Sequence, residues 1–184
     1  MNTDLTSRAY LFARAAHAAV GQKRKYTGED YIQHPIEVAN IVWRRGCNAE
    51  MIAAAYLHDI VEDTQVSLSL IREEFGKCIA TLVEGLTDVS KPEDGNRAVR
   101  KEIDRQHTAK QSPACKTIKL ADLISNSKSI LQHDRDFAKV YLKEKKLLLE
   151  VLKEGDAVLW EEANRIVEQG LKEIENDRTN RKPT

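Results

Sequence analysis

Four side chains capable of ligating a metal recur along the chain, each beside apolar residues. They are His34 in YIQHP, the adjacent His58 and Asp59 in YLHDIVEDT, and Asp122 in KLADL. Imidazole nitrogens and carboxylate oxygens together suit a borderline divalent cation such as Mn²⁺, Fe²⁺, Co²⁺ or Zn²⁺. When such groups are buried among apolar residues, they must be paired or bind a metal. We therefore expect one metal ion on these four residues; satisfied core histidines and a chance HD dipeptide are the alternative.

A second pair of acidic residues follows the HD dipeptide at helical spacing. Glu62 lies four residues after His58, and Asp63 lies four residues after Asp59. On a helix each pair shares a face, and a carboxylate one turn from a metal can accept the proton of an attacking water. Acidic residues at a helix C-terminus oppose the helix dipole, which favours a functional role over a solvated helix end. We predict Glu62 and Asp63 as the catalytic residues.

Substrate contacts are predicted from basic and polar residues near the expected ligands. Arg24 and Lys25 lie in a turn-rich loop before His34, where a phosphate would sit, and Arg24 could also stack on a base. Arg97 begins a helical series of basic residues that is interleaved with acidic ones. Asn126 lies one turn after Asp122 and Ser129 follows it by three residues, so both are candidates as well. A solvated face and an ordinary surface Asn are the alternatives.

Composition limits the classes of function. Lys plus Arg (29) equals Asp plus Glu (29), so no global charge favours nucleic acid or a membrane surface. The N-terminal residues lack the apolar core of a signal peptide, and no apolar run approaches the ~20 residues that span a bilayer. The three cysteines are far apart, which indicates a reducing cytoplasm. The sequence does not indicate an oligomeric state.

Helical spacing of apolar residues predicts the elements that position these groups. It recurs along most of the chain, while alternating strand patterns are scarce. We predict an all-α, single compact helical bundle over residues 1–175, with a flexible polar tail at 176–184. One helix is expected from about residue 49 to 61, with Asp63-Thr64 as the signal that ends it. The last helix is expected from about residue 156 to 175. The polar segment 87–95 is expected to be a mobile loop.

Five longer segments surround these residues and cover roughly residues 8 to 130: AHAAVGQKRKYTGEDYIQHP, AAYLHDIVEDT, IREEFGKCIATLVEGLTDVSK, NRAVRK and TIKLADLISN. Together they resemble a known family, the HD-domain hydrolases. Specifically, they resemble the hydrolase domain of bifunctional alarmone (RelA/SpoT-type) enzymes and the small alarmone hydrolases. One local departure is AHAAVGQ, where the family often has AHxGQ.

The resemblance implies a specific chemistry for these residues. His34, His58, Asp59 and Asp122 match the family's metal ligands, usually for Mn²⁺, and Glu62 and Asp63 match the acidic pair that handles the attacking water. Arg24 and Lys25 match the basic loop at the nucleotide, and Asn126 matches a base-side contact. The implied reaction removes the 3′-diphosphate of guanosine tetra- or pentaphosphate as pyrophosphate, leaving GDP or GTP.

Two other functions remain open on the sequence. The substrate could be an adenine alarmone or a 2′- or 3′-phosphorylated nucleotide such as NADPH, because the basic loop and Asn126 would tolerate either base. The chain could instead be a nucleotide-binding regulator without catalysis, although the intact Glu62-Asp63 pair argues against that function.

Overall fold

The fold is all-α, as predicted, in a computed structural model that describes residues 3–180. This part of the chain forms a one-turn 3₁₀ helix at Pro92–Asp94 and an isolated bridge between Lys23 and Asp30 in the first loop. It also forms nine α-helices: α1 Thr3–Ala19, α2 Gln33–Arg44, α3 Ala49–Leu57, α4 Ile60–Asp63, α5 Leu68–Leu86, α6 Arg97–Ala109, α7 Pro113–His133, α8 Arg135–Val151 and α9 Ala157–Asn180.

Short polar residues set the starts of several helices. The side chains of Asn48, Ser67 and Ser112 accept hydrogen bonds from backbone N–H groups in the first turns of α3, α5 and α7. These bonds satisfy donors that have no partner inside the helix. Pro113 follows at the first position of α7, where a missing N–H has no cost. Local sequence therefore fixes these boundaries.

Two helices, α3 and α7, are buried along much of their length. In α3, Ala53, Ala54 and Ala55 are fully buried, and their small side chains let α1, α2 and α5 pack closely against it. Helix α7 contacts α2, α3, α5, α8 and α9 and is buried along most of its length. His34 on α2 and Asp122 on α7 are thus held by packed helices, and His58 and Asp59 directly follow the buried helix α3.

Two element boundaries differ from those predicted. The helix expected over 49–61 is interrupted, since α3 ends at Leu57 and α4 begins at Ile60. Helix α9 runs to Asn180, five residues past the expected domain end at 175. The last part of the predicted tail, 181–184, lies outside the described residues.

The polar segment 87–95 is anchored, in contrast to the mobile loop expected there. The Asp104 carboxylate, on α6, accepts hydrogen bonds from the backbone N–H groups of Val89 (3.1 Å) and Ser90 (2.9 Å) and from the Ser90 hydroxyl (2.9 Å). Lys101 lies 3.4 Å from the same carboxylate. Asp104 is buried, so part of this loop is held by an acceptor that local sequence patterns do not reveal.

Replacing Asp104 by Ala should therefore loosen this loop. Loss of the acceptor leaves loop donors without a protein partner, and we expect the free energy of unfolding to fall by about 1–3 kcal/mol. Urea unfolding measures the change, and faster amide exchange at Val89 and Ser90 locates it. Glu73→Ala, at an exposed position of α5, is the control. Unchanged stability together with unchanged exchange would contradict the anchoring role.

Candidate active site

Two buried imidazoles face each other at the centre of the helical bundle. His34 lies in the first turn of α2, and His58 directly follows the end of α3. Each is 1% exposed. Their Nε2 atoms are 3.2 Å apart, with the rings inclined by 67°. Two buried nitrogens this close need a proton or a cation between them.

The other nitrogen of each ring is already committed as a donor. His58 Nδ1 lies 2.8 Å from the backbone carbonyl of Ala55, which can only accept. His34 Nδ1 lies 3.0 Å from Ser125 Oγ, and that hydroxyl donates its one hydrogen to Glu37 (2.7 Å). Both neutral rings therefore carry hydrogen on Nδ1, and both Nε2 lone pairs point to one place. This is the tautomer in which Nε2 ligates a metal.

Two carboxylates complete the cluster. Asp59 Oδ2 lies 3.1 Å from His58 Nε2 and 3.6 Å from His34 Nε2, and Asp122 Oδ1, from α7, lies 3.7 Å and 3.1 Å from the same atoms. The hydroxyl of Tyr31 donates to Asp59 (2.5 Å), and the Asn126 amide donates to Asp122 (2.6 Å). The structure thus brings together all four residues predicted as ligands. Among them, His34, His58 and Asp59 form a group that could hold a metal ion, and Asp122 lies beside that group.

The electrostatics of the cluster favour a cation. Burial opposes the charged form of His58, but the adjacent Asp59 and Asp122 outweigh it and raise the pKa of the imidazole well above its usual range. Burial likewise disfavours an ionised Asp59 or Asp122, yet the neighbouring imidazoles hold the pKa of both carboxyls below its ordinary value. Anionic carboxylates beside two lone pairs of nitrogen fit a divalent metal of borderline softness.

The interruption between α3 and α4 explains how adjacent residues reach one point. On a regular helix, neighbouring side chains diverge by about 100°. Here Asp59 has φ −98° and ψ −1°, off the helical values, while His58 turns its ring back to the Ala55 carbonyl. The single predicted helix was wrong at this point because a tertiary arrangement of ligands overrides local helical preference.

Glu62 and Asp63, both on the short helix α4, accept hydrogen bonds from different partners. Glu62 accepts a hydrogen bond from the backbone N–H of Asp88 (2.6 Å), whereas Asp63 accepts one from the Gln22 side chain (2.9 Å). The protein around the Glu62 carboxylate removes part of its solvent and raises its pKa to about 7, although Lys119 acts in the opposite direction. A carboxylate with that pKa suits general base catalysis near neutral pH.

Lys119 is a charged site residue that the sequence reasoning missed. Its ammonium lies 3.8 Å from Asp122 and 4.0 Å from Asp88, and its side chain is 14% exposed. Burial opposes the charge, but these carboxylates and Glu62 raise the pKa of Lys119. The signal was available, since a Lys inside an apolar run needs an ionic partner when buried. Lys119 links Asp122 to the loop that contacts Glu62.

The predicted basic residues lie in two environments. Lys25 forms an ion pair with Asp134 (3.3 Å), and Arg97 forms a two-bond pair with Glu144 (2.7 and 2.8 Å). Both cations also lie against the ring of Phe137, at 5.5 and 5.2 Å from its centroid, so the structure brings them to one aromatic side chain.

Arg24 differs from these two residues. Its backbone is paired with Glu29 and Gly28, and its half-exposed guanidinium makes no ion pair within residues 3–180. Asn126 donates a hydrogen bond to Asp122, as described above, and Ser129 lies half-buried further along α7.

Removal of one ligand carboxylate tests the metal site. We expect wild-type protein to bind one divalent cation per chain and to unfold at a higher temperature when Mn²⁺ is added, because the ion binds only the folded state. Asp59→Ala should lose both the bound metal and the Mn²⁺-dependent shift of Tm, while Asp4→Ala, exposed on α1, should keep them. Full metal occupancy in Asp59→Ala would refute the ligand assignment.

Comparison with known proteins identifies the domain. A family model described as the HD domain matches residues 9–145. A guanosine-3′,5′-bis(diphosphate) 3′-pyrophosphohydrolase from Aquifex aeolicus is 36% identical over 123 residues, which are 67% of this chain and 17% of that protein. The bifunctional (p)ppGpp synthase/hydrolase SpoT of Escherichia coli strain K12 is 44% identical over 84 residues, 46% of this chain and 12% of that protein.

A solved structure covers more of the chain. Described as a metazoan ortholog of SpoT that hydrolyses ppGpp, it matches with a TM-score of 0.82 and 26% identity over 93% of this chain and 98% of its own. The chain spans less than a fifth of the two bacterial relatives. With a family model over most of its length and a ligand cluster built on an HD dipeptide, the chain belongs to the HD-domain family.

Proposed function

We propose that the protein hydrolyses the 3′-diphosphate of guanosine 3′,5′-bis(diphosphate) and of its pentaphosphate analogue, releasing pyrophosphate and GDP or GTP. The observation that carries this proposal is the convergence of two Nε2 lone pairs and two carboxylates beside Glu62, whose pKa of about 7 suits a base. The activities described for the similar proteins support the choice of substrate.

The proposed reaction assigns metal binding and proton transfer to different residues of the site. We propose that His34, His58, Asp59 and Asp122 hold one Mn²⁺ ion, whose Lewis acidity would polarise the phosphoryl group and lower the pKa of water. Glu62 takes a proton from the water as its oxygen bonds to phosphorus. The bond from phosphorus to the ribose 3′ oxygen breaks, and that oxygen takes up a proton to become a hydroxyl. Asp63 acts as the second carboxylate beside the attacking water.

The basic residues at the rim bind the nucleotide in this proposal. Arg24 has a guanidinium without an ion pair in the described part of the chain, so it is available to stack on a base or to pair with a phosphate. Lys25 and Arg97 flank Phe137 and present positive charge to the 5′-diphosphate. Asn126 and Ser129 lie beyond Asp122 on α7 and form the base side. Because the total charge is zero, attraction of an anion has to come from this local cluster.

The partner in this proposal is a small nucleotide. No excess charge favours nucleic acid. Within residues 3–180, no helix combines the length and apolar character needed to cross a bilayer. The cytoplasmic location expected from the sequence belongs to the proposal.

A substrate panel tests the proposed function. Purified, Mn²⁺-loaded protein is incubated with ppGpp, pppGpp, the adenine analogue and NADPH, and the products are separated and identified. Pyrophosphate with GDP or GTP is the expected result, and Asp59→Ala is the control without metal. Turnover of the adenine analogue or NADPH in preference to ppGpp would identify that compound as the substrate. Binding of ppGpp without any turnover would favour the alternative of a nucleotide-binding regulator without catalysis.

Arg24→Ala should weaken substrate binding more than chemistry. Since Arg24 contacts the nucleotide away from the reacting phosphorus, we expect KM to rise while kcat changes less. Steady-state kinetics measure both constants, and Arg72→Ala removes an exposed arginine of α5 as the matched control. A fall in kcat at constant KM would assign the loop a catalytic or structural role instead.

Glu62→Gln and Asp63→Asn should separate catalysis from binding. Each variant should keep metal and substrate but lose roughly 10²–10⁴-fold in kcat, the usual contribution of general base assistance. Metal content is measured on the same samples as the kinetics. Wild-type kcat in both variants would contradict the role, and loss of metal in either would place that residue among the ligands.

The pH profile distinguishes the two carboxylates. A base must be ionised, so with a Glu62 pKa of about 7 the wild-type kcat should fall about tenfold per pH unit below 7. The acid limb should persist in Asp63→Asn and disappear from the residual activity of Glu62→Gln. An acid limb near 7 that survives in Glu62→Gln belongs to another group.

A further inference from the structure

A third histidine is buried beside the site without contacting a ligand nitrogen. His17, in the last turn of α1, is 2% exposed, and its ring packs against Tyr31 with the centroids 4.8 Å apart. Its Nδ1 lies 2.6 Å from the side-chain oxygen of Gln22, and its Nε2 has no hydrogen-bond partner in the described part of the chain. A buried imidazole that leaves one nitrogen unpaired is costly where only packing is needed.

Hydrogen-bond directions through Gln22 follow from its neighbours. The Gln22 side-chain NH₂ donates to Asp63 Oδ2 at 2.9 Å, because a carboxylate only accepts. The amide oxygen of Gln22 is therefore the atom that faces His17, and His17 Nδ1 donates to it. The result is a directed chain from imidazole through amide to carboxylate, which joins the end of α1 to the end of α4.

The backbone fixes Gln22 as firmly as its side chain does. Its N–H donates to the carbonyl of His17 (3.1 Å), and its carbonyl accepts from the N–H of Tyr31 (3.3 Å). Gly21 precedes it with φ +66°, a conformation that lets the chain turn out of α1. Since Tyr31 also donates to the ligand Asp59, the same short segment contacts both the metal cluster and Asp63.

We propose that Gln22 is a positioning residue for Asp63, and that His17 orients the Gln22 amide for this purpose. The proposal rests on the function proposed above, in which Asp63 acts beside the attacking water. With Oδ2 held by the amide, the Asp63 side chain is restricted to one orientation and Oδ1 is left to contact water. Without the amide, an exposed carboxylate at the end of a four-residue helix is free to rotate away.

A purely structural joint between α1 and α4 makes a different prediction. In that case loss of the amide lowers stability and leaves the chemistry of the folded enzyme unchanged. A positioning role instead lowers kcat in protein that remains folded, with little change in KM. It also predicts that the loss depends on the Asp63 carboxylate.

The decisive experiment is a double-mutant cycle of Gln22→Met and Asp63→Asn on the Mn²⁺-loaded full chain with ppGpp as substrate. A hydrogen bond to a charged group supports an expected loss of about 10- to 100-fold in kcat for Gln22→Met. In the Asp63→Asn background, the same substitution should change kcat less than twofold. Equal losses in both backgrounds, or an unchanged kcat in Gln22→Met, would overturn the proposal.

The chain offers a matched control at a distance from the site. Gln111 also hydrogen-bonds a histidine, His107, at 3.3 Å, so Gln111→Met removes a similar amide from a similar pair. We expect its kcat to equal that of the wild type. Thermal unfolding of all variants ensures that kinetic constants are compared only between folded proteins.

A measurement without substrate separates failure of this inference from failure of the proposed function. In metal-free, ¹⁵N-labelled protein, the Gln22 side-chain NH₂ resonances should shift in Asp63→Asn and in His17→Phe, and the Gln111 resonances should not. Absence of both shifts refutes the hydrogen-bonded chain itself. If the shifts occur but wild-type protein does not hydrolyse ppGpp, the proposed function fails while the chain of contacts stands.

Discussion

The approach of two neutral imidazole nitrogens to 3.2 Å in a water-poor interior is the constraint on which the rest of the site depends. Such an arrangement is repulsive unless a positive charge lies between the lone pairs, and the two flanking carboxylates increase the demand for that charge. Tight packing of the surrounding helices must therefore hold the two imidazoles in this position. The buried alanines of α3 allow this packing, because larger side chains would separate α2 from α3 and the two imidazoles with them.

Contacts one step removed from the cluster fix its chemistry. Ser125 and Glu37 determine which nitrogen of His34 carries hydrogen, and the Ala55 carbonyl does the same for His58. Tyr31 holds Asp59 in a similar way. These partners cost no reorganisation when a cation binds, since each donor and acceptor is already oriented. His34 and Asp122 lie on packed helices, and His58 and Asp59 lie between α3 and α4, so the surrounding helices hold these contacts in place.

The two catalytic carboxylates proposed for α4 experience different fields although they are adjacent in sequence. Glu62 lies near Asp88 and Lys119 and has a raised pKa, so it is able to exchange a proton near neutrality. Asp63 accepts a hydrogen bond from the Gln22 amide, which restricts the orientation of its side chain. The two adjacent acids of this short helix therefore have different partners and different surroundings.

The sequence by itself determined the all-α fold, the helix starts with polar caps, and the residue types that compose the metal cluster, because periodicity and capping are local properties. The tertiary structure decided what depends on distant contacts. The hydrogen-bond partner of His34 is 91 residues away, and that of Asp63 is 41 residues away. The interruption at His58-Asp59, the divergence of Glu62 from Asp63, the buried Lys119 and the pairing of Arg97 with Glu144 all depend on such contacts. Helical spacing specifies which face of its helix a residue occupies, but only tertiary packing specifies which residues that face contacts.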